Sequence, residues 1–223
     1  MYTDQQLVRV ALTVALVMFS AVVHEVAHGW VALRCGDPTA RDAGRLTLDP
    51  RAHLDGFGSF LLPLLMALLG GPVFAFARPV PYNPARLRHP RRDELLVALA
   101  GPASNVLQAL AGTALLRLLL DWGQGLPVDA LLWGAEVLMI YVQVNLVLCF
   151  FNLIPLPPLD GSKVVLFFLT GEARQRYYEL QRYSMAILIG VLYLLPSLLR
   201  VDPLSAYLDA TAGSLFSALM SAV

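Results

Sequence analysis

Charge is what this sequence has least of. Only 14% of its 223 residues are Asp, Glu, Lys or Arg, against 57% that are hydrophobic. A soluble domain of this length carries about 25% charged residues. So sparse a set cannot coat a surface that faces water on every side, and the mean hydropathy is +0.64. The chain therefore reads as an all-α polytopic membrane protein. Cysteine is almost as scarce: Cys35 and Cys149 are the only two, and they fit no C-x-x-C metal or redox pattern. They read as a small residue near a helix end and a buried apolar one. No basic, aromatic-studded stretch is present, so no nucleic-acid partner is expected. The N-terminal MYTDQQLVRV lacks the positive n-region and small-residue cleavage site of a removable signal peptide. The first apolar stretch is thus expected to be retained. Repeats, linkers and low-complexity tracts are also missing, and the length suits one integral-membrane domain over 1–223.

What is present is a series of apolar runs. A spanning helix needs roughly 20 mainly apolar residues, and 7–33, 94–120, 131–153 and 184–200 qualify. The run 58–77 is broken by Gly70-Gly71-Pro72, 163–170 is too short to span, and 204–223 reads as a short amphipathic helix. Arginine placement orients them. Arg34, Arg41, Arg45 and Arg51 lie in 34–57. Arg78, Arg86, Arg88, Arg91 and Arg92 lie in 78–93, and Arg174, Arg176 and Arg182 in 171–183, whereas 121–130 has two Asp and no Lys or Arg. The positive-inside rule sets the three Arg-rich segments in the cytoplasm and 121–130 outside. A single crossing by 58–77 would separate two of those segments, so it is expected to dip in and return. Irregular backbone at that depth must be buried in protein or line a cavity. Of four to six transmembrane segments, the reading with four full spans and the N-terminus outside satisfies the charges. Between the first helix and the dip, the alternation around Arg45-Leu46-Thr47-Leu48, between Gly44 and Asp49-Pro50, predicts a small membrane-associated strand or β-hairpin. Its exposed edge could pair with an extended peptide.

The chemistry begins at His24-Glu25-Val26-Ala27-His28, an H-E-x-x-H motif. Two His four residues apart share a helix face and can reach one zinc, with the Glu placed to act on a water at the metal. Three ionisable residues within an apolar helix are costly, which marks them as functional; the plainer alternative is a polar helix end in the interfacial region. His24 lies ten residues before Arg34, roughly 15 Å below the cytoplasmic face in an upright helix. Catalytic zinc takes three protein ligands and keeps one position open. Asp160, in Asn152-Leu-Ile-Pro-Leu-Pro-Pro-Leu-Asp160-Gly161, is the best third ligand. Pro155, Pro157 and Pro158 forbid a continuous helix there, and a broken helix is how membrane proteins build polar sites at depth. Asp160 could instead be a helix N-cap, or cap and ligate together, and His53 is the rival ligand.

HEVAH in a first apolar helix, AGPASN at 100–105 and NLIPLPPLDG at 152–161 together resemble the site-2 protease family of intramembrane metalloproteases. GRLTLDPRAHLDGFG (44–58), the following GGP and RPVPYNP (78–84) are similar to its compact bacterial and archaeal members, which lack PDZ and CBS modules. The resemblance runs from about 20 to 165. It implies one catalytic Zn2+ held by His24, His28 and Asp160, Glu25 as the group that activates water, and Asn152 as a holder of the substrate backbone or the oxyanion. Asn152 also has a reading of its own, since an amide near the metal could stabilise charge arising only in the transition state. Alternatively it satisfies carbonyls freed by the prolines. Asn105 divides between an interhelical hydrogen bond and a site role. Gln143 and Asn145 read as helix–helix glue, Gly101 and Ala103 as close-approach positions, and Glu136 as interfacial. The Arg86–Arg92 run reads mainly as a topology determinant, with weak attraction to anionic lipid.

The expected activity is hydrolysis of peptide bonds in or near transmembrane segments of membrane-protein substrates. The resemblance to bacterial and archaeal members suits a prokaryotic inner membrane, and the arginine placement sets the active site toward the cytoplasm. The alternative is a metal-binding transporter or a non-catalytic scaffold. A transporter needs a polar path to both faces, whereas here polar residues gather on the cytoplasmic half. Neither the substrate nor the oligomeric state is written in the sequence.

Overall fold

Thirty-one residues from Asp4 to Arg34 form one uninterrupted helix, α1, with Asp4 in its first turn and Arg34 in its last. Both charges complement the helix dipole. This is seen in a computed structural model that describes residues 4–53, 78–191, 196, 198 and 202–223. A single turn α2 (Thr39–Asp42) and a 3-10 turn at Pro50–His53 follow. Helix α3 (Pro90–Trp122) opens with Pro at its first position, and the Asp93 carboxylate accepts the His89 N–H at 2.8 Å, satisfying a donor that would otherwise be orphaned. Helix α4 (Val128–Asn152) returns antiparallel to it. Short helices complete the chain: α5 (Gly161–Phe168), α6 (Gly171–Gln181), α7 (Ser184–Ile189), α8 (Pro203–Leu208), a π turn at Asp209–Gly213, and α9 (Ser214–Ser221).

Three of these helices are long and apolar enough to cross a membrane, with 18-residue windows of mean hydropathy 2.1 in α1, 1.5 across α3 and 1.8 in α4. They pack against one another, α3 lying along both α1 and α4. The π turn and α9 lie against α4, where Ala212 joins Ala109, Val142 and Leu146 in one buried cluster. The expected fourth span, 184–200, is described only in part, through α7. The expected dip at 58–77 lies outside the described residues.

The strand and β-hairpin expected around 45–48 are not found; among the described residues no strand is present. The backbone of 45–49 is irregular, and it is the side chain of Arg45 that bridges to the neighbouring segment, donating to the Arg78 carbonyl at 2.6 Å. A lone alternating pattern makes a strand only when a second strand supplies the ladder.

Residues 78–88 cross α1 as a strap. The Arg78 N–H donates to the His53 carbonyl (2.7 Å) and the Arg88 N–H to the Cys35 carbonyl (3.0 Å). Between them the buried Asp37 carboxylate accepts the Asn83 N–H (2.5 Å), the Thr39 N–H (3.0 Å) and the Thr39 hydroxyl (2.5 Å). Burial opposes the charge of Asp37, but these donors and Arg86 outweigh it and hold the carboxyl below its usual range.

Candidate metal centre

Ser20, His24 and His28 stand at four-residue intervals, hence on one face of α1, and all three are buried. Facing them on α3 is a second stripe with the same spacing: Val97, Gly101 and Asn105, also buried. His24 Nε2 and His28 Nε2 approach to 3.0 Å, with the rings nearly perpendicular. Asp160 Oδ2 lies 3.1 Å from each of these nitrogens. His24, His28 and Asp160 are only 6%, 9% and 8% exposed. Each offers one ligand atom to a common point, so the group could hold a metal ion.

The geometry fits zinc in three respects. Bonds of about 2.0–2.1 Å at tetrahedral angles place ligand atoms roughly 3.3 Å apart, close to the 3.0–3.1 Å separations found here. The far nitrogens of the rings are engaged: His28 Nδ1 donates to the Val97 carbonyl at 2.6 Å, and His24 Nδ1 meets Asn105 Oδ1 at 2.6 Å. Such outer partners fix ring orientation and tautomer at metal sites. Finally, a Cβ on Gly101 would sit 2.4 Å from both Nε2 atoms, so only glycine leaves room beside the ligands.

Asp160 reaches this point because the chain breaks immediately after α4. Residues 153–160 form tight turns through Pro155, Pro157 and Pro158, with short bonds such as Leu159 N–H to the Leu156 carbonyl (2.9 Å). A Cβ on Gly161 would fall 2.2 Å from the Leu153 carbonyl oxygen, so the Asp-Gly pair lets α5 restart against the end of α4. Asp160 precedes α5 but makes no side-chain capping bond to it; its carboxylate faces the histidines. Arg91 donates to the Phe167 carbonyl (2.6 and 2.9 Å) and Arg174 to the Leu166 carbonyl (3.0 Å), completing the far end of α5.

The other expected residues lie as follows. Glu25 is half-buried and accepts the Val80 N–H through Oε2 at 2.8 Å. Asn152 is not drawn to the cluster: its Nδ2 donates to Leu148 O of its own helix at 2.9 Å. His53 is fully buried elsewhere, bonded through Nε2 to the Thr47 carbonyl at 2.8 Å. Asn105 and Asn145 are both interhelical bonds and neighbours of the site. Two features were not anticipated. Val80 presents its N–H to Glu25. Lys163, the only lysine in the chain, lies one helical turn past Asp160, its ammonium 4.8 Å from the centre of the Tyr82 ring. Ser20, one turn before His24 and not singled out in the sequence, is the signal that could have revealed the polar stripe.

Comparison with known proteins decides the family. A Peptidase family M50 model matches residues 129–196. YwhC of Bacillus subtilis, provisionally named a zinc metalloprotease, is 37% identical over 185 residues, covering 83% of this chain and 80% of YwhC. Rip2 of Mycobacterium tuberculosis, named in the same provisional way, is 33% identical over 181 residues, covering 81% and 66%. Rip2 of Mycolicibacterium smegmatis is 30% identical over 189 residues, covering 85% and 69%. No solved structure gives a match.

The chain belongs to peptidase family M50. This is the site-2 protease family that its motifs resemble, and its members are zinc metalloproteases. Zinc is accordingly the metal of this M50 protein, and the His24–His28–Asp160 group, two imidazoles and a carboxylate, could hold it. The apolar helices of this M50 protein make it an integral membrane protein.

Proposed function

We propose that this M50 protein hydrolyses peptide bonds in or near transmembrane segments of membrane-protein substrates, with His24, His28 and Asp160 holding the zinc and Glu25 as general base. One observation carries the reading: three buried ligand atoms converge within 3.1 Å inside the three-helix bundle, beside a glycine whose missing side chain leaves them room. Bound zinc supplies the Lewis acidity that makes water nucleophilic at neutral pH. Glu25 accepts the proton from the attacking water and delivers it to the leaving amine. The strap fixes the Glu25 carboxylate through the Val80 N–H. Asn152, at the end of α4, would stabilise the substrate backbone or the oxyanion on exchanging its Leu148 contact for the site. The apolar shell excludes stray water, which strengthens each electrostatic contact. A soluble fragment and a membrane stub are the products.

The site faces the cytoplasm in this reading, as contacts among the Arg-rich segments support. Cys35 bonds to Arg88, Arg91 to Phe167, and Arg174 pairs with Glu94 at 3.3 Å, so all three segments meet at the site end of the bundle. Glu25→Gln keeps the three ligands and removes the base. Purified variant and wild type are compared for zinc content and for cleavage of a model transmembrane substrate. Zinc is expected to stay stoichiometric while cleavage falls by about 10²–10⁴. Cleavage near the wild-type rate would remove Glu25 from the mechanism.

A further inference from the structure

Behind His24 runs a buried polar chain that crosses three helices and has a direction. Asn145, on α4, donates from Nδ2 to Ser20 Oγ of α1 (3.0 Å) and to the Tyr141 carbonyl one turn earlier on its own helix (3.0 Å). A carbonyl only accepts. Turning the Asn145 amide end for end would set two oxygens against each other at that distance, so its Oδ1 is the atom that meets Asn105 Nδ2, at 2.9 Å. Asn105 is thereby oriented in turn, with Oδ1 toward His24 Nδ1 at 2.6 Å. An amide oxygen also only accepts, so the ring proton lies on Nδ1 and Nε2 keeps its lone pair. Ser20, Asn105 and Asn145 are 0% exposed, leaving no bulk water to substitute for a missing partner.

Asn105 alone could not make this choice. Flipped, it would offer Nδ2 to an unprotonated Nδ1, an equally good hydrogen bond, and the ring proton would move to Nε2. Asp160 Oδ2, 3.1 Å from Nε2, favours that wrong tautomer. The selection is made further back, where the Tyr141 carbonyl admits only a donor.

We infer that Asn145 is a positioning residue of the metal centre: acting through Asn105, it sets the tautomer of His24 so that Nε2 is open to the ion. The inference rests on reading His24 as a ligand, but its test does not depend on proteolysis. The full chain, labelled with ¹⁵N-histidine and stripped of metal, is read by long-range ¹H–¹⁵N correlation at an alkaline pH raised until the His24 signals are those of a neutral ring. The four histidines are assigned with His28→Gln, His53→Gln and His89→Gln. Wild-type His24 is expected as the Nδ1–H tautomer; an Nε2–H signal in wild type overturns the inference whatever the variants do. Asn145→Leu is expected to shift His24 toward Nε2–H and to weaken zinc binding in chelator competition by about 10–100-fold. Ser20→Ala, which leaves the Tyr141 anchor in place, should keep both tautomer and affinity within about threefold. An unshifted Nδ1–H signal in folded Asn145→Leu would show that Asn105 needs no anchor, and would also overturn it. Neither result bears on Glu25→Gln, so the protease reading and this one fail separately.

Discussion

Asp160 and His53 are both buried and both within tens of residues of a proline-rich turn, yet their surroundings assign them opposite work. Asp160 has two imidazole nitrogens at 3.1 Å, and an uncompensated carboxylate at that depth would be costly. His53 faces a backbone carbonyl at 2.8 Å, and its own carbonyl receives the Arg78 N–H. Asp160→Ala is therefore expected to lose most of the zinc and all cleavage. His53→Ala should keep the metal while destabilising the protein by about 1–3 kcal/mol, the cost of leaving a buried partner unpaired. Metal analysis and thermal unfolding of the two purified variants check this. Zinc retained by Asp160→Ala and lost from His53→Ala would exchange their roles.

At the scale of helices, the site is an encounter of two stripes with a four-residue period. α1 brings Ser20, His24 and His28; α3 brings Val97, Gly101 and Asn105. Small residues let membrane helices approach closely, and here the same device makes room for an ion. Gly101 and Gly112 lie on the one helix and separate the two uses. A Cβ on Gly101 meets the ligand nitrogens at 2.4 Å, whereas one on Gly112 meets Val142 and Tyr141 at 2.9 and 3.0 Å. Gly101→Ala is expected to weaken zinc binding by roughly tenfold or more. Gly112→Ala should lower the unfolding temperature and leave zinc affinity unchanged. Chelator competition and thermal scans on both variants distinguish them, and equal zinc affinity in Gly101→Ala and wild type would refute the account of Gly101.

At the scale of the whole molecule, orientation is the property the arginines predict and labelling can test. The His53 carbonyl bonds the Arg78 N–H at 2.7 Å, so the chain leaves the described structure at 53 and rejoins it beside the same point. Trp30 stands near the Arg34 end of α1, while Trp122 (84% exposed) and Trp133 mark the opposite end, as interfacial belts do. Single cysteines at 88 and 175, in a background lacking Cys35 and Cys149, are expected to label only from the cytoplasmic side, and one at 124 only from outside. Labelling of position 88 from outside would make 58–77 a crossing and end the re-entrant reading, though not the protease one.

Sequence alone determined the membrane class and the helical character, and it proposed the ligand types. A low charged fraction and the H-E-x-x-H spacing act through local physics, namely the cost of burying charge and the 3.6-residue turn, and neither needs a partner segment. The break after Asn152 was legible for the same reason, because proline lacks the donor a helix requires. The strand expected at 45–48 is not found among the described residues, since alternation is half of a strand and the other half is a neighbour. What set Asp160 rather than His53 beside the histidine pair, the Val80 N–H against Glu25, and the path from Asn145 through Asn105 to His24 was tertiary packing. Those contacts join residues 40 to 136 positions apart. At such separations the chain carries no local signal of which polar groups will meet, and only the closing of α1, α3 and α4 around one another sets donor against acceptor.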